Sequence, residues 1–163
     1  MTYSFLQDLE DLQKFYEAMS VNNDNVITFA TTPTISRNIS SEGVNDIQRE
    51  VDFNKNYLLK IIPILQCSAW DNFVKRLEKN EPSRFLTHFP NGLEKGRKWY
   101  SDSIKEIALL RNCIVHNKGV VDELYVKYSS VQKYALGDLV IILEQDVPIF
   151  FKEFEAGYKL ILA

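Results

Sequence analysis

Apolar side chains recur along this chain at helical rather than strand spacing. Phe5, Leu9, Leu12, Tyr16 and Met19 fall four, three, four and three residues apart, the stripe of an amphipathic helix over residues 4–20. Ser4 followed three residues later by Gln7 fits a capping box at its start, and the AsnAsnAspAsn run at 22–25 predicts its end. Residues 26–44, rich in Thr and Ser with Pro33 and Gly43, read as an extended loop with room for a short strand at ValIleThrPheAla. From Asn45 or Asp46, either able to cap, Ile47, Val51, Leu58, Ile61, Ile62, Leu65, Trp70, Phe73, Val74 and Leu77 mark a central helix to about Lys79. Pro63 lies inside it and is expected to bend or split it, because proline removes one ladder hydrogen bond and crowds the preceding turn.

Residues 81–100, with Pro82, Pro90, Gly92 and Gly96, read as mostly loop. A cap at Ser101, Asp102 or Ser103 opens the next helix, which runs to His116, where Asn117 and Gly119 supply stop chemistry. Residues 122–134 offer a short helix, Gly137-Asp138 a turn and residues 139–142 a short extended piece. Asp146 with Pro148 opens a final helix to about Leu162, proline standing in the first turn where its missing N–H costs little. With no internal repeat and no long Gly/Ser or Pro-rich linker, the pattern predicts one all-α domain over residues 1–163. It is a bundle of four to five helices with long connecting loops.

Composition narrows the class. The chain is 45% hydrophobic and 25% charged, with ten Phe, eight Tyr and two Trp to fill a core, so neither disulfide nor metal is required for folding. Cys67 and Cys113 form no CxxC pair and only two histidines accompany them, which excludes a zinc ribbon or a disulfide framework and points to a reducing cytoplasm. The acidic opening, with Asp8, Glu10 and Asp11, is not a secretory start, and no apolar run approaches the roughly 20 residues that span a bilayer, so no membrane contact is expected. The net charge of −3 is unevenly spread. Residues 75–118 carry ten Lys and Arg against five acids, while the remainder carries nine against seventeen. A basic third inside an acidic chain suits local binding of one polyanion, although charges scattered around a solvated helix give the same count.

No glycine-rich phosphate loop, GxSxG elbow, HExxH pair or calcium loop occurs, so no cofactor or metal is expected. The segment with chemistry is RNCIVHNKGVVD, residues 111–122. Asn112 and His116 are four apart and share a helix face, and Arg111 is long enough to reach the same rim. Such a set suits a phosphodiester. Arginine grips phosphate oxygens through a planar fork, histidine exchanges protons near neutrality, and asparagine orients either one. The same residues at a helix terminus also have a plain structural use, cations there meeting exposed carbonyls.

This segment resembles the signature of the HEPN superfamily of helical proteins: Arg, a polar residue that is commonly Asn, and His four to six residues after the Arg. Arg111, Asn112 and His116 match those positions, and the helical frame agrees with the fold that the resemblance implies. It implies a metal-independent endoribonuclease, a toxin, antiphage-defence or RNA-processing protein, in which two protomers of a homodimer face their motifs across a composite cleft. A ribose 2′-hydroxyl would attack the neighbouring phosphate. His116 would serve as general base or acid, Arg111 would stabilise the pentavalent phosphate, and Asn112 would position one of them. The basic side chains Lys118, Arg97 and Lys98 would assist RNA binding. The toxin branch paired with nucleotidyltransferase antitoxins has a Tyr two residues after the motif His. Lys118 stands there in this chain, which puts control by modification of that Tyr in doubt and offers a cation for RNA phosphate instead.

Other residues read more plainly. His88 is a loop residue without ligand neighbours, Cys113 a small packing residue, and Trp99 with Tyr100 core anchors rather than base-stacking platforms. The alternative function is a non-catalytic HEPN-like interaction or regulatory module, with an antitoxin or regulatory protein as partner. The acidic first helix, with Asp8, Glu10, Asp11 and Glu17, is either its docking face or a solvated surface.

Overall fold

The computed structural model describes residues 5–31, 41–90 and 100–163. Among them the fold is all-α, with six helices: α1 Phe5–Thr31, α2 Ser41–Asn80, α3 Pro82–His88, α4 Asp102–His116, α5 Glu123–Tyr128 and α6 Asp146–Leu162. The long α2 is the spine, against which α1, α3, α4 and α6 all pack. No helix among the described residues is long and apolar enough to cross a membrane.

The core forms around Trp70 of α2, which is 2% exposed. Its indole meets Phe5 of α1 edge-on at 5.5 Å, Phe154 of α6 at 5.7 Å and Tyr100 at 6.4 Å. Ile104 and Ile107 of α4 and Ile161 of α6 close around it, all buried. Tyr100 thus anchors the core as read from the sequence, while Trp99 lies outside the described residues. At Gly157, α6 comes so close that a Cβ would stand 2.9 Å from Ile104 Cδ1 and 3.1 Å from Trp70 Cη2. Glycine is required there by space and not by dihedral angle.

Two expectations need correction and one, for Pro63, is narrowed. The AsnAsnAspAsn run does not end α1, which continues helically through residues 26–31, where the sequence reads as an extended loop with room for a short strand. At the asparagine run, contact with α2 outweighs the poor helix propensity: Asn23 is buried, and Asp24 takes an ion pair from Lys55 of α2 that holds the lysine ammonium above its ordinary range. Pro63 does not split α2. It is itself buried, and the neighbouring Leu58, Leu59, Ile62 and Cys67 are buried with it, which offsets the lost ladder bond. Residues 82–88 are not loop but α3, opened by Pro82 and held by the stacked, buried Phe85 and Phe89 rings at 5.2 Å. His88 ends that helix rather than lying in a loop, and its Nδ1 lies 3.5 Å from the Tyr100 hydroxyl. Ser4, the expected capping residue, and residues 32–40 lie outside the described residues.

The remaining elements follow the sequence closely. Ser101 caps α4, its Oγ accepting from the Ile104 N–H at 3.1 Å, and α6 covers the expected span. The short α5 is capped by Asp122, which accepts from the Tyr125 N–H at 2.8 Å. It is tied to α4 by two hydroxyls: Tyr125 donates to Glu106 Oε1 at 2.6 Å and Ser129 to Glu106 Oε2 at 2.8 Å. Burial and the Glu106 bond push the Tyr125 phenol from 10.0 up to about 12.

Two stability measurements follow from this packing. In an open helix Gly157→Ala would add about 1 kcal/mol. Here overpacking against Ile104 and Trp70 should remove about 1–3 kcal/mol in urea denaturation, and a gain would contradict the contact. Because folding raises the Tyr125 pKa, its contribution is complete below pH 10 and disappears as pH rises from 10 to about 12. Tyr125→Phe should therefore cost about 1.5–3 kcal/mol at neutral pH and lose less than wild type over that alkaline interval, whereas equal alkaline losses would refute the assignment.

Candidate functional site

The motif residues stand on the last two turns of α4. The buried stripe Ile104, Ile107, Leu110 and Cys113 turns one side of this helix into the core, which leaves Asn112 half-buried and His116 exposed. Asn112 and His116 are one helical turn apart, about 6 Å along the axis. Arg111 bends toward Asn112 and donates from Nη1 to its Oδ1 at 2.9 Å. The guanidinium plane is therefore held by its neighbour, and the buried Arg111 Nε has no partner. The Arg111 charge also reaches Cys67 of α2. It draws that thiol downward, but burial outweighs it and pushes the pKa up to about 12. Arg111 thus faces the seam between α4 and α2, with Nη1 engaged and Nε enclosed without a partner.

His116 is the last residue of α4, and its side chain makes no hydrogen bond among the described residues. The chain then reverses in a tight turn. The Asn117 N–H donates to the Cys113 carbonyl at 3.1 Å, the Gly119 N–H donates to the same oxygen at 2.9 Å, and the Val120 N–H donates to the Asn117 carbonyl at 2.9 Å. Asn117 Nδ2 closes the turn on the Val120 carbonyl at 2.8 Å. Both Lys118 (φ 56°) and Gly119 (φ 81°) are left-handed, a conformation that glycine takes freely and lysine does not. Two further bonds, Val121 N–H to Asp138 and Val140 N–H to Gly119, each 2.8 Å, pin this turn to the extended segment that follows Gly137. His116 and Lys118 consequently project from a backbone that is fixed on both sides.

The structure brings Arg111 and Asn112 into contact and sets His116 one turn further on, at the exposed end of the same helix. Lys118 is exposed two residues beyond, while Arg97 and Lys98 lie outside the described residues. Cys113 is fully buried, its thiol raised by burial and 3.9 Å from Asp122, so it is a packing residue as its sequence context suggested. Sequence reasoning missed Lys60. Its Nζ lies 3.8 Å from the point where Gly119 would carry a Cβ, so α2 delivers an ammonium to the turn after the motif. Nothing local marks this lysine among its neighbours, because its position depends on how α2 and α4 align across 59 residues of chain.

No family model matches the chain, and no solved structure matches it. A polyribonucleotide nucleotidyltransferase of Pelagibacter ubique (strain HTCC1062) is 28% identical to it over 97 residues, which is 60% of this chain and 13% of that protein. Because the chain spans so small a part of that relative, the likeness carries neither the fold nor the activity of the whole enzyme across to it.

Proposed function

We propose that this protein is a metal-independent endoribonuclease of the HEPN type, working as a homodimer. One observation carries the reading: Arg111 is oriented by its bond to Asn112, and Asn112 stands one turn from an exposed histidine at the end of the same helix. In the proposed reaction the ribose 2′-oxygen bonds to phosphorus and the bond from phosphorus to the 5′-oxygen breaks. The products are a 2′,3′-cyclic phosphate and a 5′-hydroxyl. One imidazole takes the 2′-hydroxyl proton and another protonates the leaving 5′-oxygen. Each protomer has a single motif histidine, so pairing two copies of His116 across a composite cleft supplies both proton transfers at once. Arg111 would neutralise the non-bridging oxygens as charge builds on phosphorus, and Asn112 would keep its fork in plane. In a cell this activity fits a toxin or an antiphage-defence protein, held in check by an antitoxin or regulatory partner.

The test is cleavage of a mixed tRNA and mRNA pool in EDTA by wild type and His116→Ala, with the new ends mapped. Wild type should leave cyclic-phosphate ends. His116→Ala should lose at least about 100-fold in rate, the scale of general acid–base catalysis, with an unchanged melting midpoint because the side chain is exposed. Equal cleavage by both proteins would remove His116 from the reaction. Intact RNA with a folded wild-type dimer would leave the non-catalytic interaction module as the function.

A further inference from the structure

Helices α2 and α4 run antiparallel. At one end Trp70 and Ile104 both abut Gly157, and at the other Lys60 reaches the turn at Gly119. This alignment sets the Lys60 ammonium beside the turn that carries Lys118, immediately after His116. Several lysines elsewhere in the fold are paired with carboxylates. Lys55 pairs with Asp24, Lys105 with Asp102, Lys133 with Asp146 and Lys159 with Glu155, all within 4 Å. Lys60 and Lys118 have no carboxylate partner among the described residues. The negative end of the α4 dipole accounts for part of their presence, but it amounts to about half a charge against two full ones. Against them stands the Asp122 carboxylate, 3.9 Å from the Cys113 thiol in the last turn of α4.

Gly119 suits this turn through its backbone: a Cβ there would meet Lys60 Nζ at 3.8 Å, an ordinary contact, but the residue bearing it would have to adopt the positive φ. The turn also holds Lys118 in a left-handed conformation that a lysine enters at a cost, and such strain persists where the surroundings fix it. One ammonium comes from α2 and the other from the turn itself, 58 residues later in the chain.

We propose that Lys60 is a phosphate-binding residue of this site, acting with Lys118 to hold a non-scissile phosphate of single-stranded RNA as the strand passes the end of α4. The inference rests on the ribonuclease reading for its ligand and adds to it a residue from outside the motif. Lysine suits the role, since an ammonium is a point charge without a planar fork. It secures a backbone phosphate regardless of base and leaves the transition state to Arg111. Lys60 is on this account a substrate-binding residue and takes no part in proton transfer.

Binding and cleavage test it separately. Binding of a labelled single-stranded RNA is measured by fluorescence anisotropy across a salt series, in the His116→Ala background so that the RNA stays intact. Adding Lys60→Gln should reduce the slope of log affinity against log salt by about 0.7, the value of one phosphate contact on a single strand. Affinity at low salt should fall several-fold, Lys60→Arg should restore most of it, and the melting midpoint should stay in place. In the cleaving protein Lys60→Gln should raise KM and leave kcat nearly unchanged. An unaltered slope and affinity would overturn the proposal, even if His116-dependent cleavage is intact. Lys60-dependent binding of RNA that wild type does not cut would uphold it and refute the ribonuclease reading instead. If Lys60→Gln lowers the melting midpoint, Lys60→Arg decides: a recovered slope supports the phosphate contact, and recovered stability without the slope opposes it.

Discussion

The approach of α6 to α2 and α4 at Gly157 governs the rest of the arrangement. With no Cβ in the way, Trp70 and Ile104 reach the α6 backbone and each other's surroundings in one contact, and the relative height of the three helices is set there. Trp70 is the largest fully enclosed side chain among the described residues, and its ring neighbours come from α1, α6 and the approach to α4. Interiors packed at crystal density tolerate little sliding. Hence the alignment established at Trp70 also determines what α2 presents two to three turns away, and there it presents Lys60 to the end of α4.

A second, polar layer of organisation secures what the core leaves open. The Cys113 carbonyl accepts two N–H groups from the reversing chain, so the turn that follows His116 closes on the helix it leaves. Glu106, one face of α4 further back, takes both hydroxyls of Tyr125 and Ser129 and draws α5 down on the same helix. The exposed histidine and lysine therefore sit between anchored segments. On the proposed reading this is the preorganisation that phosphate chemistry profits from, since little ordering of the protein would be left if RNA bound.

How much of this was legible in the sequence depended on the range of the interaction responsible. Helix α4 was legible at both ends, because a serine cap and an asparagine and glycine stop are local signals, and so was α6 with its early proline. The extension of α1 was not. Its asparagines and β-branched residues argue locally for a turn and an extended segment, whereas the pair of Asp24 with Lys55 of α2 joins residues 31 apart in sequence. Helix α3 was hidden for a similar reason: proline reads as a breaker until Phe85 and Phe89 are seen stacked in the core. In the candidate site, the bond from Arg111 to Asn112 joins adjacent residues and follows from their order, whereas Lys60 could be found only once the helices were assembled.

The central claim concerns the nucleophile. If the motif of α4 works on RNA as proposed, the attacking atom belongs to the substrate and the protein moves only protons and charge. The most direct measurement uses an RNA oligonucleotide with a single 2′-deoxy nucleotide placed at a mapped cleavage site. Scission at that position should vanish while flanking sites are still cut. Continued scission at the deoxy position would mean that another nucleophile attacks, and the role given to His116 in accepting the 2′-hydroxyl proton would be contradicted.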